Sequence, residues 1–223
     1  MAVSVKTDLR ARVGSARDQG QRPTCLAFAA SDAHGVSRNL SVELSPEHAF
    51  YSAHQRAGTN PTRGAQLTEI LQVIQRDGQV PETDWPYLPV LPTKIADWKP
   101  PKTFSTFYLR ASAPVYLSWN SAVQQIDNSV PVLVTLRLSD SFYEPNADGV
   151  VDQVGSQTGD PNRRHAVVGI GTGMYGKQQV LLVRNSWGRS WGLSGYAWLT
   201  EAFVTTRLDN LTVFIGDPNV RSH

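Results

Sequence analysis

The stretch Asn185-Ser186-Trp187-Gly188-Arg189-Ser190-Trp191-Gly192-Leu193-Ser194-Gly195-Tyr196 decides how the rest of the chain is read. It follows an aliphatic run, Val180-Leu181-Leu182-Val183-Arg184, with the length and composition of a strand. Asn185 therefore opens a loop directly after an apolar strand. On the far side, Gly195-Tyr196-Ala197-Trp198-Leu199 is a second such run. Taken singly, Asn185 reads as a structural loop residue and Trp187 and Trp191 read as core packing.

Outward from this stretch, the second half of the chain alternates like a sheet. Pro131–Leu138 and His165–Ile170 are further short aliphatic runs between turn-forming segments, and an antiparallel lobe over about residues 110–215 is the expectation. Gly171-Thr172-Gly173-Met174-Tyr175-Gly176 matches the glycine spacing of a dinucleotide site. A strand follows it instead of a helix, so it is read as a hairpin turn. The first half reads as helical. Thr24 is placed to cap a helix running from Cys25 to about His34-Gly35, and Ser45-Pro46-Glu47 opens a second. Leu67, Ile70, Leu71 and Ile74 repeat at helical spacing and stop at Gly78. These three form a lobe over about residues 24–80. Six prolines between Pro81 and Pro101 exclude a helix or central strand, and Val80–Pro101 is read as a linker crossing between lobes.

The chain has 223 residues, room for one large domain or two lobes sharing a boundary. Hydrophobic residues at 40% against 18% charged exclude the disordered and fibrous classes. The net charge of +2 gathers into no basic stripe, which argues against nucleic acid as a partner. No stretch approaches the roughly 18 apolar residues of a membrane span, and Met1–Arg10 lacks the apolar core of a signal peptide. With Cys25 the only cysteine, no intrachain disulfide and no cysteine-rich zinc site can form. His48 and His54 do not share a helical face, so no metal is implied. These features favour a cytoplasmic location, and none of them fixes an oligomeric state.

A lone cysteine is more often an inert buried residue than a nucleophile. Cys25, however, sits one residue after a helix cap, where free amides and the positive helix end favour the reactive thiolate. A thiolate nucleophile needs a nearby base, and the base needs an orienting group. Of the five histidines, His34, His48 and His54 fall on or near the predicted helices and His223 is terminal. Only His165 begins a strand after a polar loop.

Taken together, Asp18-Gln19-Gly20, Cys25-Leu26-Ala27-Phe28, His165-Ala166-Val167 and the Asn185–Tyr196 stretch resemble the papain family of cysteine peptidases. Leu44-Ser45-Pro46-Glu47 and Asp84-Trp85-Pro86-Tyr87 resemble further landmarks of that family, and the resemblance runs from about Asp8 to Leu199. It implies an α+β fold of two lobes, one helical and one an antiparallel β-barrel-like lobe, with the active-site cleft between them in a single domain over residues 1–223. It also implies thiol-dependent endopeptidase activity on a peptide or protein substrate, without a cofactor. Cys25 would attack the scissile carbonyl, His165 would hold the thiolate as an ion pair and protonate the leaving amine, and Asn185 would accept the imidazole N–H. Gln19 would donate to the oxyanion beside the backbone N–H of Cys25. Trp187 would cover the Asn185–His165 hydrogen bond and wall the leaving-group side. Gly64 and Ala65 would bind extended peptide.

The chain departs from the family where Arg22-Pro23-Thr24-Cys25-Leu26 replaces the common Cys-Gly-Ser-Cys-Trp, where the usual disulfide is absent, and where Gly64-Ala65 keeps one of two paired glycines. Two alternatives stay open at this point: acyl transfer to an amine by the same site, and an inactive peptide-binding module.

Overall fold

The computed structural model describes residues 2–216. Strand β1 (Ser4–Asp8) precedes three helices, α1 (Cys25–Ser37), α2 (Pro46–Ala57) and α3 (Leu67–Gln72). The short strand β2 (Ala111–Pro114) and helix α4 (Trp119–Asp127) follow. The remaining elements are β3 (Val132–Arg137), β4 (Val150–Val151), β5 (Arg164–Tyr175), β6 (Gln178–Arg184), β7 (Tyr196–Thr200), α5 (Glu201–Thr205) and β8 (Leu208–Ile215).

Helix α2 starts as its sequence dictates: Ser45 Oγ accepts the His48 N–H at 3.0 Å, and Pro46 takes the first turn, where no amide hydrogen is missed. It ends at Gly58, whose φ of 61° is left-handed. Helix α3 widens into a π-type turn over Val73–Asp77 before stopping at Gly78. Thr24 precedes α1 without capping it. Its side chain accepts no helix amide and instead lies 2.9 Å from the Tyr87 hydroxyl. Eight of the ten α1 residues from Ala27 to Val36 are small or polar and the helix is buried on most sides, which lets it lie close against the sheet.

The strands order as β2-β8-β3-β5-β6-β7-β4, with β1 pairing to the far half of β5. All pairings are antiparallel except β4 with β7. Both faces of the sheet are covered, which is why its strands read as nearly continuous apolar runs. Leu133, Val168, Ile170, Val180, Leu182 and Trp198 join one core with α1, α2 and α3. Their alternating neighbours Val132, Val134, Val167, Leu181, Val183 and Leu199 join a second core with α4 and Phe203 of α5.

Two further expectations are corrected, and one element is added. The Gly171–Gly176 run is mostly strand, and only Gly176-Lys177 forms the turn of the β5–β6 hairpin. Its glycines serve a close crossing: a Cβ on Gly171 would stand 2.7 Å from the Thr7 carbonyl, and one on Gly173 2.8 Å from that of Ser4. The segment Val80–Pro101 is not a crossing linker. It wraps the helical lobe, burying Trp85 and Trp98, and Leu44 bridges to Pro81 while Gln79 bridges to Tyr108, so the chain crosses only near Ala111. The β lobe also carries α4, whose Trp119, Ala122, Val123 and Ile126 face the second core.

Two helix histidines are buried in neutral form. Burial pushes His34 down to about 3, opposed by its Gln79 hydrogen bond, and pushes His48 down to about 4. The unfolded chain takes up protons at both sites near the ordinary 6.5, so stability is complete above that pH and falls as the pH drops toward 4. Each histidine then removes about 2 kcal/mol between pH 6.5 and 5. His48 lies among Trp85, Phe104 and Phe107. Urea unfolding of His48→Phe should accordingly lose about 2 kcal/mol less stability than the wild type between pH 7 and 5, and equal losses in the two proteins would refute this account.

Candidate active site

Cys25 is the first residue of α1, so its backbone N–H belongs to the turn that has no intrahelical partner. Across the cleft, His165 is the second residue of β5, which starts once the polar loop ends at Arg163. The two side chains border one cleft of about 520 Å³. Leu26, Gly64, Ala65 and Leu67 line it from the helical lobe, and Thr135, Arg164, Ala166 and Asp209 line it from the β lobe. Gly64 and Ala65 lie in an irregular segment leading into α3 and border the cleft.

Asn185 follows β6 directly, and its Oδ1 accepts the backbone N–H of Ser186 at 2.8 Å. That bond identifies the oxygen. The same Oδ1 is 2.7 Å from His165 Nε2, so Nε2 must carry the hydrogen, and Nδ1 is the free base of the neutral ring. Asn185 Nδ2 is buried without a partner, a penalty accepted in exchange for two bonds at the oxygen. The indole of Trp187 lies over the imidazole with ring centres 4.7 Å apart. Tyr143 stacks on Trp187 at 5.2 Å, and Phe142 meets both Trp187 and His165 edge-on. Beyond Trp187 a second groove of about 600 Å³ is bordered by Tyr143, Glu144, Pro145 and Leu193.

Gln19 is buried and tied to the same loop. Its N–H donates to the Ser186 carbonyl at 2.8 Å and its Oε1 accepts the Ser186 hydroxyl at 2.7 Å. Its Nε2 donates one hydrogen to the Arg22 carbonyl at 2.8 Å, leaving the second hydrogen unused. The structure thus gathers Gln19, Asn185 and Trp187 around Ser186, next to the cleft that Cys25 and His165 share. Sequence reasoning missed Ser186 as the link, although it lies within the opening stretch. It also missed Phe142, Tyr143 and Asp209, which carry no pattern of their own. His34, His48 and His54 are buried in the helical lobe, and His223 lies outside the described residues.

Burial pushes the Cys25 thiol up, opposed by the amides of Ala166 and Leu26. It pushes His165 down to about 4, opposed by the bond to Asn185. Both shifts disfavour isolated charges, and the mutual attraction of a thiolate and an imidazolium works the other way. Among the described residues no group of three or more His, Cys, Asp or Glu side chains is placed to hold a metal ion.

The helical lobe thus presents a thiol at a helix start, and the β lobe presents a histidine hydrogen-bonded to an asparagine across the cleft. Residues 3–211 match the papain family of cysteine proteases, and the chain belongs to that family. It is similar to a cysteine protease of Blomia tropicalis, 24% identical over 217 residues that make up 92% of this chain and 63% of the relative. Digestive cysteine proteinase 3 of Homarus americanus is 26% identical over 88% of this chain and 60% of its own length. The chain spans about three-fifths of the length of these curated relatives. Among solved structures, xylellain, a cysteine protease from Xylella fastidiosa, superimposes with a TM-score of 0.73 at 20% identity, covering 97% of this chain and 87% of its own. The Carica candamarcensis protease CMS1MS2, solved in complex with E-64, gives 0.69 at 20% identity over 94% and 97%.

The pH dependence of kcat/KM should be a broad bell. The first proton leaves the Cys25–His165 pair no higher than the value of His165 alone, about 4, because ion-pair attraction only lowers it further. The second leaves at or above the raised value of the Cys25 thiol. A peptide-substrate profile checks this, and an acid limb near the ordinary histidine value of 6.5 would contradict it.

Proposed function

We propose that the chain hydrolyses peptide bonds through an acyl-enzyme formed on Cys25. The observation that carries this reading is the double acceptance at Asn185 Oδ1, which fixes the hydrogen of His165 on Nε2 and leaves Nδ1 as a base in the cleft that holds the thiol. In the first half-reaction the Cys25 sulfur bonds to the scissile carbonyl carbon and the thiol proton passes to His165 Nδ1. The carbonyl oxygen becomes an oxyanion, bonded by the Cys25 backbone N–H and the spare Nε2 hydrogen of Gln19. The C–N bond then breaks as His165 returns its proton to the amine. Water deprotonated by the same nitrogen releases the acid and restores the thiol.

The indole of Trp187 shields the His165–Asn185 bond from water, which keeps the imidazole in one tautomer. Extended peptide is held along Gly64 and Ala65. Its side chains meet a mixed wall of Leu67, Ala166, Thr135 and Asp209, the last already paired with Arg137 at 2.9 Å. Arg164 borders the same wall and is exposed.

Cys25→Ala should abolish turnover of a peptide substrate in a protein with unchanged circular dichroism, and retained cleavage would end the reading. Gln19→Ala should lower kcat by about a hundredfold, the effect of losing one oxyanion donor. Mass analysis of products formed with and without added amine separates hydrolysis from acyl transfer.

A further inference from the structure

Arg22 precedes the nucleophile by three residues, and its guanidinium is buried rather than solvated. One nitrogen donates to Glu47 Oε2 at 2.6 Å and to the Leu88 carbonyl, and the other donates to Glu47 Oε1 at 3.1 Å. Glu47 is itself fully buried on α2 and accepts the Leu88 N–H at 3.0 Å and the Trp98 indole N–H at 2.6 Å. Every strong donor around this carboxylate is therefore fixed in direction. The guanidinium carbon lies 5.0 Å from the ring centre of Tyr87, 5.4 Å from that of Phe50 and 5.7 Å from that of Trp98. A cation with a bidentate partner and three aromatic neighbours is held in place with little freedom.

What the clamp holds is the loop leading into α1. The Arg22 carbonyl accepts both the Thr24 N–H at 2.8 Å and the Gln19 Nε2 hydrogen at 2.8 Å. Tyr87, under the guanidinium, donates its hydroxyl to the Gln19 carbonyl at 2.7 Å and lies 2.9 Å from the Thr24 hydroxyl. Gln19 is thus bound at its backbone by Tyr87 and at its side chain by the residue that Glu47 anchors. Ser186 holds only its Oε1 and N–H. The chain has no second cysteine with which to staple this loop covalently.

We propose that Arg22 is a positioning residue: clamped by Glu47, it sets the 19–24 loop so that the free Nε2 hydrogen of Gln19 is presented to the oxyanion. This rests on the oxyanion role proposed for Gln19. Displacement of an oxyanion donor weakens the transition state more than the ground state, so the damage falls on kcat and spares KM.

The test compares Arg22→Lys, which keeps a cation but loses the bidentate fork, and Glu47→Gln with wild type and Gln19→Ala. Rates are divided by the concentration of Cys25 thiol in folded protein, isolated by gel filtration and checked by circular dichroism, so that misfolded molecules do not count. Two ligands of identical peptide sequence separate positioning from general damage. A peptide aldehyde adds reversibly to Cys25: the S–C bond forms, the C=O π bond opens and the thiol proton moves to that oxygen, which occupies the oxyanion position. The corresponding peptide alcohol cannot add.

In Arg22→Lys and Glu47→Gln, kcat and aldehyde affinity should fall together by about ten- to a hundredfold, with KM and alcohol affinity unchanged. Wild-type kcat per thiol in both variants, or aldehyde and alcohol affinities falling in parallel, would overturn the proposal while leaving a deleterious Gln19→Ala as support for the oxyanion role. Wild-type kcat in Gln19→Ala would remove the oxyanion role and the positioning role with it.

Discussion

The site exists only because α1 lies directly on β5. The thiol belongs to one lobe and the imidazole to the other, and no single element carries both. Ala27, Ala29, Ala30 and Ala33 give α1 a surface with little side-chain bulk, and they pack into the core that Ala166, Val168 and Ile170 reach from β5. Close approach brings the backbone amide of Ala166 to the Cys25 sulfur, so the strand that presents His165 also touches the thiol. A larger residue in this row would force the lobes apart, and a well-packed interior has no slack to absorb it.

Ion pairs reinforce the same contact. Asp32 on α1 accepts from Arg17 at 2.7 Å and forms an ion pair with Arg184 of β6 at 3.2 Å, and Glu43 approaches Arg184 at 3.4 Å. Arg184 is almost wholly buried, and its chain neighbour is Asn185. A buried ion pair contributes little net stability over an apolar contact of the same shape, because both charges lose their water. Its directional demand is the more useful property here. Helix α1 can satisfy Arg184 in only one register against the sheet, and that register is the one that sets Cys25 opposite His165.

The sequence made the periodic elements legible and left obscure those whose reason lies elsewhere in the chain. Leu67, Ile70, Leu71 and Ile74 announce α3 because its buried face repeats with the helix, although the π-type end over Val73–Asp77 has no such sign. The runs of β3, β5 and β6 stood out because both faces are buried. Strand β1 did not, since Ser4–Asp8 is nearly all exposed and is held by backbone bonds across two glycines of β5. Prolines in Val80–Pro101 argue against an α-helix or central strand, and the segment forms only a short 3-10 turn over Ile95–Asp97, but the deciding contacts of Trp85 and Trp98 depend on Glu47 and Tyr51, far away in sequence. At the site, Cys25, His165 and Asn185 were readable as types in a known pattern. The acceptors that fix Gln19 were not, because a carbonyl carries no sequence signature and Thr24, an ideal cap by type, gives its hydroxyl to Tyr87 instead.

In the proposed mechanism, burial around the thiol and the imidazole requires the two to act as a unit. Either charge alone faces an apolar wall formed by Trp187, Phe142, Leu26 and Ala166, and the tilt of both groups toward neutrality reflects that. Moving one proton from sulfur to nitrogen creates both charges at once and leaves the net charge of the cleft unchanged, so much of the desolvation penalty is returned as attraction between them. An asparagine suits such a site better than a carboxylate would. Its oxygen accepts the Nε2 hydrogen in the neutral and the charged state alike, holding the ring still without adding a third charge that would draw the proton permanently onto the imidazole. In the same mechanism the Trp187 indole, its ring centre 4.7 Å from that of the imidazole, would work in the same direction by hindering water at Nε2.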